Sequence, residues 1–193
     1  LRPVCLRMQI ERKESQMTSK GILATALFAA AFTPLGAIAQ DAPFGGEDDI
    51  AYAGLLWEVM EDARLVGDNA LYGYPYAGIE PHGFLLETFY EEATVDGHTG
   101  TLVVKRNFGP EGVETDTVIG DPDGSLAAVT IMFQREAGYD EENQNWYWVK
   151  YLPDGSLDQN PAGMQLAGRV GKGADQGCIA CHVGAGGDDY LFT

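Results

Sequence analysis

Five residues near the end of the printed sequence, Cys178-Ile179-Ala180-Cys181-His182, constrain the fold of this chain more than any other feature. Cys-x-x-Cys-His is the attachment pattern of c-type haem and predicts one covalent haem c. On one helical turn the two sulfurs project from the same face, so each can form a thioether to a vinyl group while the imidazole binds the iron. A disulfide, half of a zinc site and a thioredoxin-type pair are the alternatives. A zinc site calls for a second Cys/His pair and a thioredoxin motif for an early βαβ context, and the sequence shows neither.

Residues 1–39 have the layout of a secretory leader. A long apolar run follows Lys20, and Ala37-Ile38-Ala39 supplies a small-x-small cleavage site. We expect residues 1–39 to be upstream residues plus a cleaved signal peptide, and residues 40–193 to form a single haem-binding domain. An uncleaved membrane anchor is the alternative. Since thioethers to haem form outside the bacterial inner membrane, the expected location is the periplasm.

The chain is strongly acidic, with 12 Lys/Arg, 29 Asp/Glu and a net charge of −17. Loss of residues 1–39, which hold five basic and two acidic residues, leaves a net charge of about −20. Like charge repels nucleic acid and anionic membrane surfaces, so we expect neither as a partner. A basic cytochrome would be attracted as an electron partner, although solubility alone also explains an acidic surface.

Hydrophobic spacing predicts one long helix and several strands. The helix covers residues 48–66, with one apolar stripe. That stripe consists of Tyr52, Leu55, Leu56, Val59, Ala63 and Val66. The strands cover residues 84–91, 101–108, 127–135 and 146–152, separated by polar turns. The expected fold is therefore mainly β with flanking helices (α+β): a single antiparallel sheet packed by the N-terminal helix and by a short C-terminal haem-bearing helix over residues 175–182.

The second axial position of the iron has no obvious ligand. Residues 183–193 contain no Met, His or Lys, so a sixth ligand would come from upstream. The upstream candidates are Met60, Met132, Met164, His82, His98 and Lys105. Both Met60 and Met132 are expected in core packing, and the two upstream histidines lie in Pro/Gly-rich segments typical of loops. A five-coordinate iron, open to small molecules, is therefore favoured.

Four segments in order carry a resemblance to a known family. They are Gly100-Thr101-Leu102-Val103-Val104-Lys105, Asn145-Trp146-Tyr147-Trp148, Cys178 to His182 and Asp189-Tyr190-Leu191-Phe192-Thr193. With these segments, residues from about 83 to 193 resemble the cytochrome P-460 family, which includes the cytochromes c′-beta. The resemblance implies a periplasmic homodimer with a five-coordinate c-type haem. Members of the family oxidise hydroxylamine, with nitric oxide chemistry, or bind nitric oxide and carbon monoxide reversibly.

The role of Lys105 distinguishes the enzymatic activity from reversible gas binding. The resemblance implies that a lysine at this position of the Gly-Thr-x-x-Val-Lys strand is joined covalently to the porphyrin edge in the enzymatic members. Strand alternation places Lys105 on one face with Val103 and Asn107. An ordinary surface lysine of a β-sheet is the alternative reading.

The leading hypothesis is a periplasmic monohaem c-type cytochrome that oxidises hydroxylamine or nitric oxide at an open iron. A non-enzymatic gas-binding protein of the c′-beta type and a six-coordinate electron carrier are the alternatives. For the enzyme, a carboxylate would accept protons, with Glu87, Glu91 and Glu92 as candidates. Aromatic residues would wall the pocket or pack the sheet, with Phe89, Phe108 and Phe133 as candidates.

Overall fold

The computed structural model describes residues 43–187 and 189–192. The predicted leader, residues 1–39, lies outside the described residues. Within the described part of the chain, no helix has the length and apolar character needed to span a bilayer.

A single six-stranded sheet forms the centre of the fold, and every strand pairs antiparallel with the next one along the chain. The strands are β1 (Tyr76–Ala77), β2 (Leu85–Val95), β3 (His98–Phe108), β4 (Leu126–Gln134), β5 (Trp146–Tyr151) and β6 (Ala167–Gly168). Asp96 and Gly97 alone connect β2 to β3, and both have positive φ, at 49° and 78°. This is the backbone conformation of a two-residue hairpin that suits the twist of the strands. The predicted antiparallel sheet is confirmed, with longer β2 and β3 strands than expected.

Within the described residues, four α-helices accompany the sheet. They are α1 (Glu47–Asp62), α2 (Thr115–Gly120), α3 (Pro122–Ser125) and α4 (Cys178–His182). Between β3 and β4, where only polar turns are expected, the connection is helical: Asp121 caps α3 by accepting a hydrogen bond from the Gly124 N–H at 3.0 Å. An Asp at this position satisfies an N–H that the helix itself leaves unpaired.

Helix α1 is shorter than its apolar stripe predicts. It ends at Asp62, and Arg64 has a φ of 60°, which turns the chain away from the helix axis. Val66, the last residue of the predicted stripe, remains buried as irregular chain beside Leu65, so the stripe identified a core residue beyond the end of the helix. Leu55, predicted in the stripe, is 41% exposed.

The two faces of the sheet differ in what covers them. We call the face beneath α1 the closed face; its buried strand residues include Leu102, Val104, Ile131, Phe133, Tyr147 and Val149. They pack against Tyr52, Leu56 and Met60 of α1. Two tyrosines of β5 join this layer to the helix, because Tyr147 Oη donates to the Asp49 carbonyl at 2.6 Å and Tyr151 Oη to the Ala53 carbonyl at 2.8 Å.

The opposite face, which we call the cavity face, presents the alternate residues of the same strands. Its members on β3–β5 are Val103, Lys105, Thr130, Met132, Trp148 and Lys150. The segment around α4 covers this face, with Ile179 buried against it. The predicted C-terminal helix is confirmed on the sheet, although it begins at Cys178 rather than near residue 175.

Candidate functional site

A cavity of about 550 Å³ lies between the cavity face and the C-terminal segment. Such a volume falls within the roughly 300–1,000 Å³ of cofactor and small-molecule pockets. The pairing of strands β3, β4 and β5 sets the residues on the sheet side of this cavity. Lys105, Thr130 and Lys150 form one row across the three strands, and Val103, Met132 and Trp148 form the neighbouring row. Residues of consecutive rows on one face therefore line one pocket.

Both cysteines of the Cys-x-x-Cys-His segment line this cavity. Helix α4 is anchored beside them, because the Ile179 N–H donates to the Val170 carbonyl at 3.0 Å. Cys178 and Cys181 are free thiols rather than a disulfide. Burial raises the pKa of Cys178 to about 11.

His182 is buried, with 6% of its surface exposed, and its ring orientation is fixed on several sides. Nδ1 lies 2.7 Å from the Tyr190 carbonyl, which can only accept, so Nδ1–H is the donor. The ring packs edge-on against Trp148 and Phe192, with centroid distances of 4.8 and 5.2 Å. Burial and the nearby Lys105 lower the pKa of His182, while the bond to Tyr190 opposes them. The imidazole is held neutral with Nε2 as the nitrogen available for a metal.

Lys105 lines the same cavity as the two cysteines and His182. It lies in the middle of β3, paired with Thr88 on one side and Thr130 on the other. Among the described residues it forms no hydrogen bond or ion pair. Burial lowers the pKa of its ammonium group, which favours the neutral, nucleophilic amine. The predicted strand face is confirmed: the side chain points into the pocket and not into solvent.

The six candidates for a second iron ligand separate clearly. His82, Met132 and Lys105 line the cavity. Met60 is fully buried in the closed-face core. His98 is the first residue of β3 and lines a different cavity, beside Asp96 and Arg135. Met164 is half-buried in the connection between β5 and β6 and does not line the haem cavity.

The expectation that His82 is an ordinary loop histidine needs correction. It does lie in the β1–β2 connection, but its ring centre is 5.9 Å from that of His182, with the planes at 89°. The residues around it, Pro81 and Gly83, carry no periodic signal that could have revealed this position.

The expected proton acceptors are not in the pocket. Glu87 belongs to the opposite side of the sheet, where it forms a buried ion pair with Arg106 at 3.2 Å. Glu91 and Glu92 are exposed and do not line the cavity. Of the described carboxylates, Asp175 alone contributes to the lining, and it is solvent-exposed.

The expected aromatic wall is also different. Phe89 and Phe133 pack in the closed-face core, and Phe108 packs in a third cluster with Leu85 and Val118. Strand alternation places these phenylalanines away from the pocket. The aromatic lining is instead Tyr90, Trp148 and Phe192.

The residues present fit a c-type haem. The cavity offers apolar walls for a porphyrin, two thiols on one short helix and an imidazole with its second nitrogen free. Trp148 is 2% exposed, and its Nε1–H has no partner, a donor that a polar group of a bound cofactor would satisfy. Within the described residues, no three His, Cys, Asp or Glu side chains are arranged as a metal site.

Comparisons with known proteins agree with this reading. The model of the family described as Cytochrome P460 matches residues 86–193, which is more than half of the chain. Neither the curated proteins nor the solved structures contained a match. The matched region begins in β2 and includes Lys105, every lining residue of β3–β5, and helix α4. The family binds haem, with a c-type attachment. This chain is a haem cytochrome and belongs to the cytochrome P460 family.

Proposed function

We propose that this protein is an exported, periplasmic monohaem cytochrome that oxidises a small nitrogen species, hydroxylamine or nitric oxide. One observation carries the proposal: Cys178, Cys181, His182 and Lys105 line a single, mostly apolar cavity. The two thiols and the imidazole come from the short helix α4, and the lysine comes from strand β3 of the sheet.

Cys178 and Cys181 would hold the cofactor through two thioethers, and His182 Nε2 would bind its iron. The hydrogen bond from His182 Nδ1 to Tyr190 orients the ring and increases the electron density of the ligating nitrogen. When bound, the haem supplies an iron that coordinates the nitrogen species and accepts its electrons.

Lys105 would form the covalent link to the porphyrin edge that the family resemblance implies. Its lowered pKa and lack of an acidic partner support this role, since a lysine in an ion pair would not be available as an amine. An exposed carboxylate, Asp175, is the described group best placed to pass released protons to solvent.

The proposed location and partners follow from the sequence. A leader over residues 1–39 and thioether chemistry support the periplasm, and the acidic charge favours a basic cytochrome as electron partner. A homodimer is proposed from the family resemblance alone.

Two measurements on the purified protein test the proposal. Carbon monoxide added to the reduced protein should shift the main haem absorption band, because a small ligand reaches the iron. An unchanged spectrum after hours would contradict access to the iron.

Mass spectrometry of the digested protein tests the link. The peptide containing Lys105 should remain attached to the haem peptide of Cys178–His182. Clean separation of the two peptides, together with carbon monoxide binding, would instead favour a gas-binding protein without enzyme activity.

A further inference from the structure

The group that orients His182 lies outside the haem attachment segment. His182 Nδ1–H donates to the carbonyl of Tyr190, a residue of the C-terminal tail, at 2.7 Å. The direction of a backbone carbonyl is set by the fold of the chain around it. The position of residues 189–191 therefore decides how well this carbonyl faces the imidazole.

Residues 189–191 form a tight turn centred on Tyr190. Its φ is 64°, in the left-handed region that residues other than glycine rarely adopt. The Leu191 N–H donates to Asp189 Oδ1 at 3.0 Å, which closes the turn. Such a conformation persists where the surrounding structure holds it in place. We therefore looked for contacts that reach the turn from the rest of the fold.

The indole of Trp146 holds the turn against the sheet. Trp146 is the first residue of β5 and is 2% exposed. Its Nε1–H donates to the Asp189 carbonyl at 3.1 Å. Tyr190 and Leu191 also pack in the same apolar cluster as Trp146. A strand of the sheet thus fixes the residue directly before Tyr190.

A second contact reaches the turn from the connection between β4 and β5. There the buried Asp140 carboxylate accepts a hydrogen bond from Asn143 Nδ2 at 2.8 Å and pairs with the Lys172 ammonium group. The other polar atom of the same amide, Asn143 Oδ1, lies 3.4 Å from Tyr190 Oη and accepts its proton. Lys172 precedes α4 and Tyr190 follows it, so this connection holds the chain on both sides of the haem-bearing helix.

We propose that Trp146 and Asn143 are positioning residues for the axial ligand: they hold the Tyr190 carbonyl against His182 Nδ1–H and so set how strongly His182 donates electrons to the iron. A strong hydrogen bond at Nδ1 raises the basicity of Nε2. A more basic ligand stabilises the ferric iron and lowers its reduction potential. This inference rests on the haem site of the proposed function.

The test uses Trp146→Phe in haem-loaded protein, because this change removes the indole N–H and keeps an aromatic ring. Trp57→Phe is the matched control, since Trp57 packs against Tyr151 on the closed face. Resonance Raman spectra of the ferrous protein give the iron–histidine stretching frequency, and redox titration gives the potential. Trp146→Phe should lower the frequency and raise the potential, because a weaker hydrogen bond makes Nε2 a poorer donor. Trp57→Phe should keep both wild-type values.

Two further measurements decide the matter if Trp146→Phe does not fold. Tyr190→Phe removes only the hydroxyl beside Asn143, and it should shift the frequency and the potential in the same directions by a smaller amount. The wild-type frequency should lie above that of ferrous haem bound to an imidazole without an acceptor at its second nitrogen. A wild-type frequency equal to that reference would overturn the proposal.

Unchanged frequencies and potentials in both Trp146→Phe and Tyr190→Phe would overturn the positioning role. A shifted potential with an unchanged frequency would also overturn it, because it would report altered solvent access and not ligand strength. In either case the proposed function stands if the protein binds carbon monoxide and keeps Lys105 attached to the haem peptide. If both quantities shift in Trp146→Phe while the Lys105 peptide separates cleanly from the haem peptide, the positioning role is supported and the proposed enzyme activity is contradicted.

Discussion

Lys105 and Arg106 are neighbours in β3, yet they serve opposite faces of the sheet. Arg106 is 1% exposed, and each of its three guanidinium nitrogens is hydrogen-bonded: they donate to the Leu65 and Leu71 carbonyls and to Glu87. Its guanidinium also lies over two aromatic rings, those of Tyr72 and Phe89, at 4.7 and 4.9 Å. Lys105, on the cavity face, has no such partners among the described residues.

The contrast distinguishes a charge that stabilises the fold from a charge that remains available for a reaction. A buried cation whose three guanidinium nitrogens are all hydrogen-bonded holds irregular chain around Leu65 and Leu71 against the sheet, whereas a partly buried cation without partners remains free to react. The closed face is completed by the protein's own side chains, and the cavity face leaves a space that a cofactor fills.

The largest expected effect comes from removing both thioether donors. Replacement of Cys178 and Cys181 by Ala should abolish covalently bound haem, because no other described cysteine lines the cavity. Haem staining after denaturing electrophoresis measures the loss. The closed face should still support a folded sheet, visible by far-ultraviolet circular dichroism; an unfolded variant would show that both faces depend on the cofactor.

The neighbouring cations provide the next test. Arg106→Met should lower the free energy of unfolding by about 3–5 kcal/mol, since it leaves the Glu87 carboxylate buried without its partner. In haem-free protein, Lys105→Met should change it by less than about 1 kcal/mol, because Lys105 forms no hydrogen bond or ion pair with the described residues. Urea unfolding of both variants makes the comparison.

A double variant, Arg106→Met with Glu87→Leu, is the control for the lost pairing. It should recover part of the stability, because no unpaired charge remains. Equal destabilisation by Arg106→Met and Lys105→Met would refute the distinction between the two residues.

Core truncation should also distinguish the faces. Leu56 belongs to α1, which covers the closed face. Leu56→Ala should lower the free energy of unfolding by about 2–5 kcal/mol, because it leaves a cavity in this core. In haem-free protein, Met132→Ala should lower it by under about 2 kcal/mol, because the cavity already removes part of its packing. Thermal or urea unfolding checks both values, and a larger loss at Met132 would mean that the cavity face is as tightly packed as the closed face.

The smallest expected effect concerns tyrosine hydroxyls. Tyr151→Phe should lower the free energy of unfolding by about 1 kcal/mol, because the Ala53 carbonyl loses a buried hydrogen bond. Tyr90→Phe, the matched change on the cavity face, should stay within about 0.5 kcal/mol, since Tyr90 is half-exposed and forms no hydrogen bond with the described residues. Similar losses at both positions would contradict this difference.

Local patterns were enough to predict the strands and the face of Lys105. Alternation has a period of two in a strand, so Val103 and Lys105 had to share a face whatever the tertiary fold. The end of α1 was missed because helical spacing continues through Ala63 and Val66, while the backbone at Arg64 turns away. The pairing of Glu87 with Arg106 was missed because an acidic residue in a strand looks the same whether it faces solvent or a buried cation.

The sequence by itself determined the haem attachment segment, the antiparallel sheet and the family, because each is recognised from the spacing of residues that are close together in the sequence. Only the tertiary structure decided which residues share the cavity. It brought Lys105 to Cys178 and His182, turned Glu87 away, and placed His82 beside His182, one hundred residues later in the chain. The physical reason is that contacts between distant segments depend on strand order and on the course of irregular connections, and neither leaves a periodic trace in the sequence.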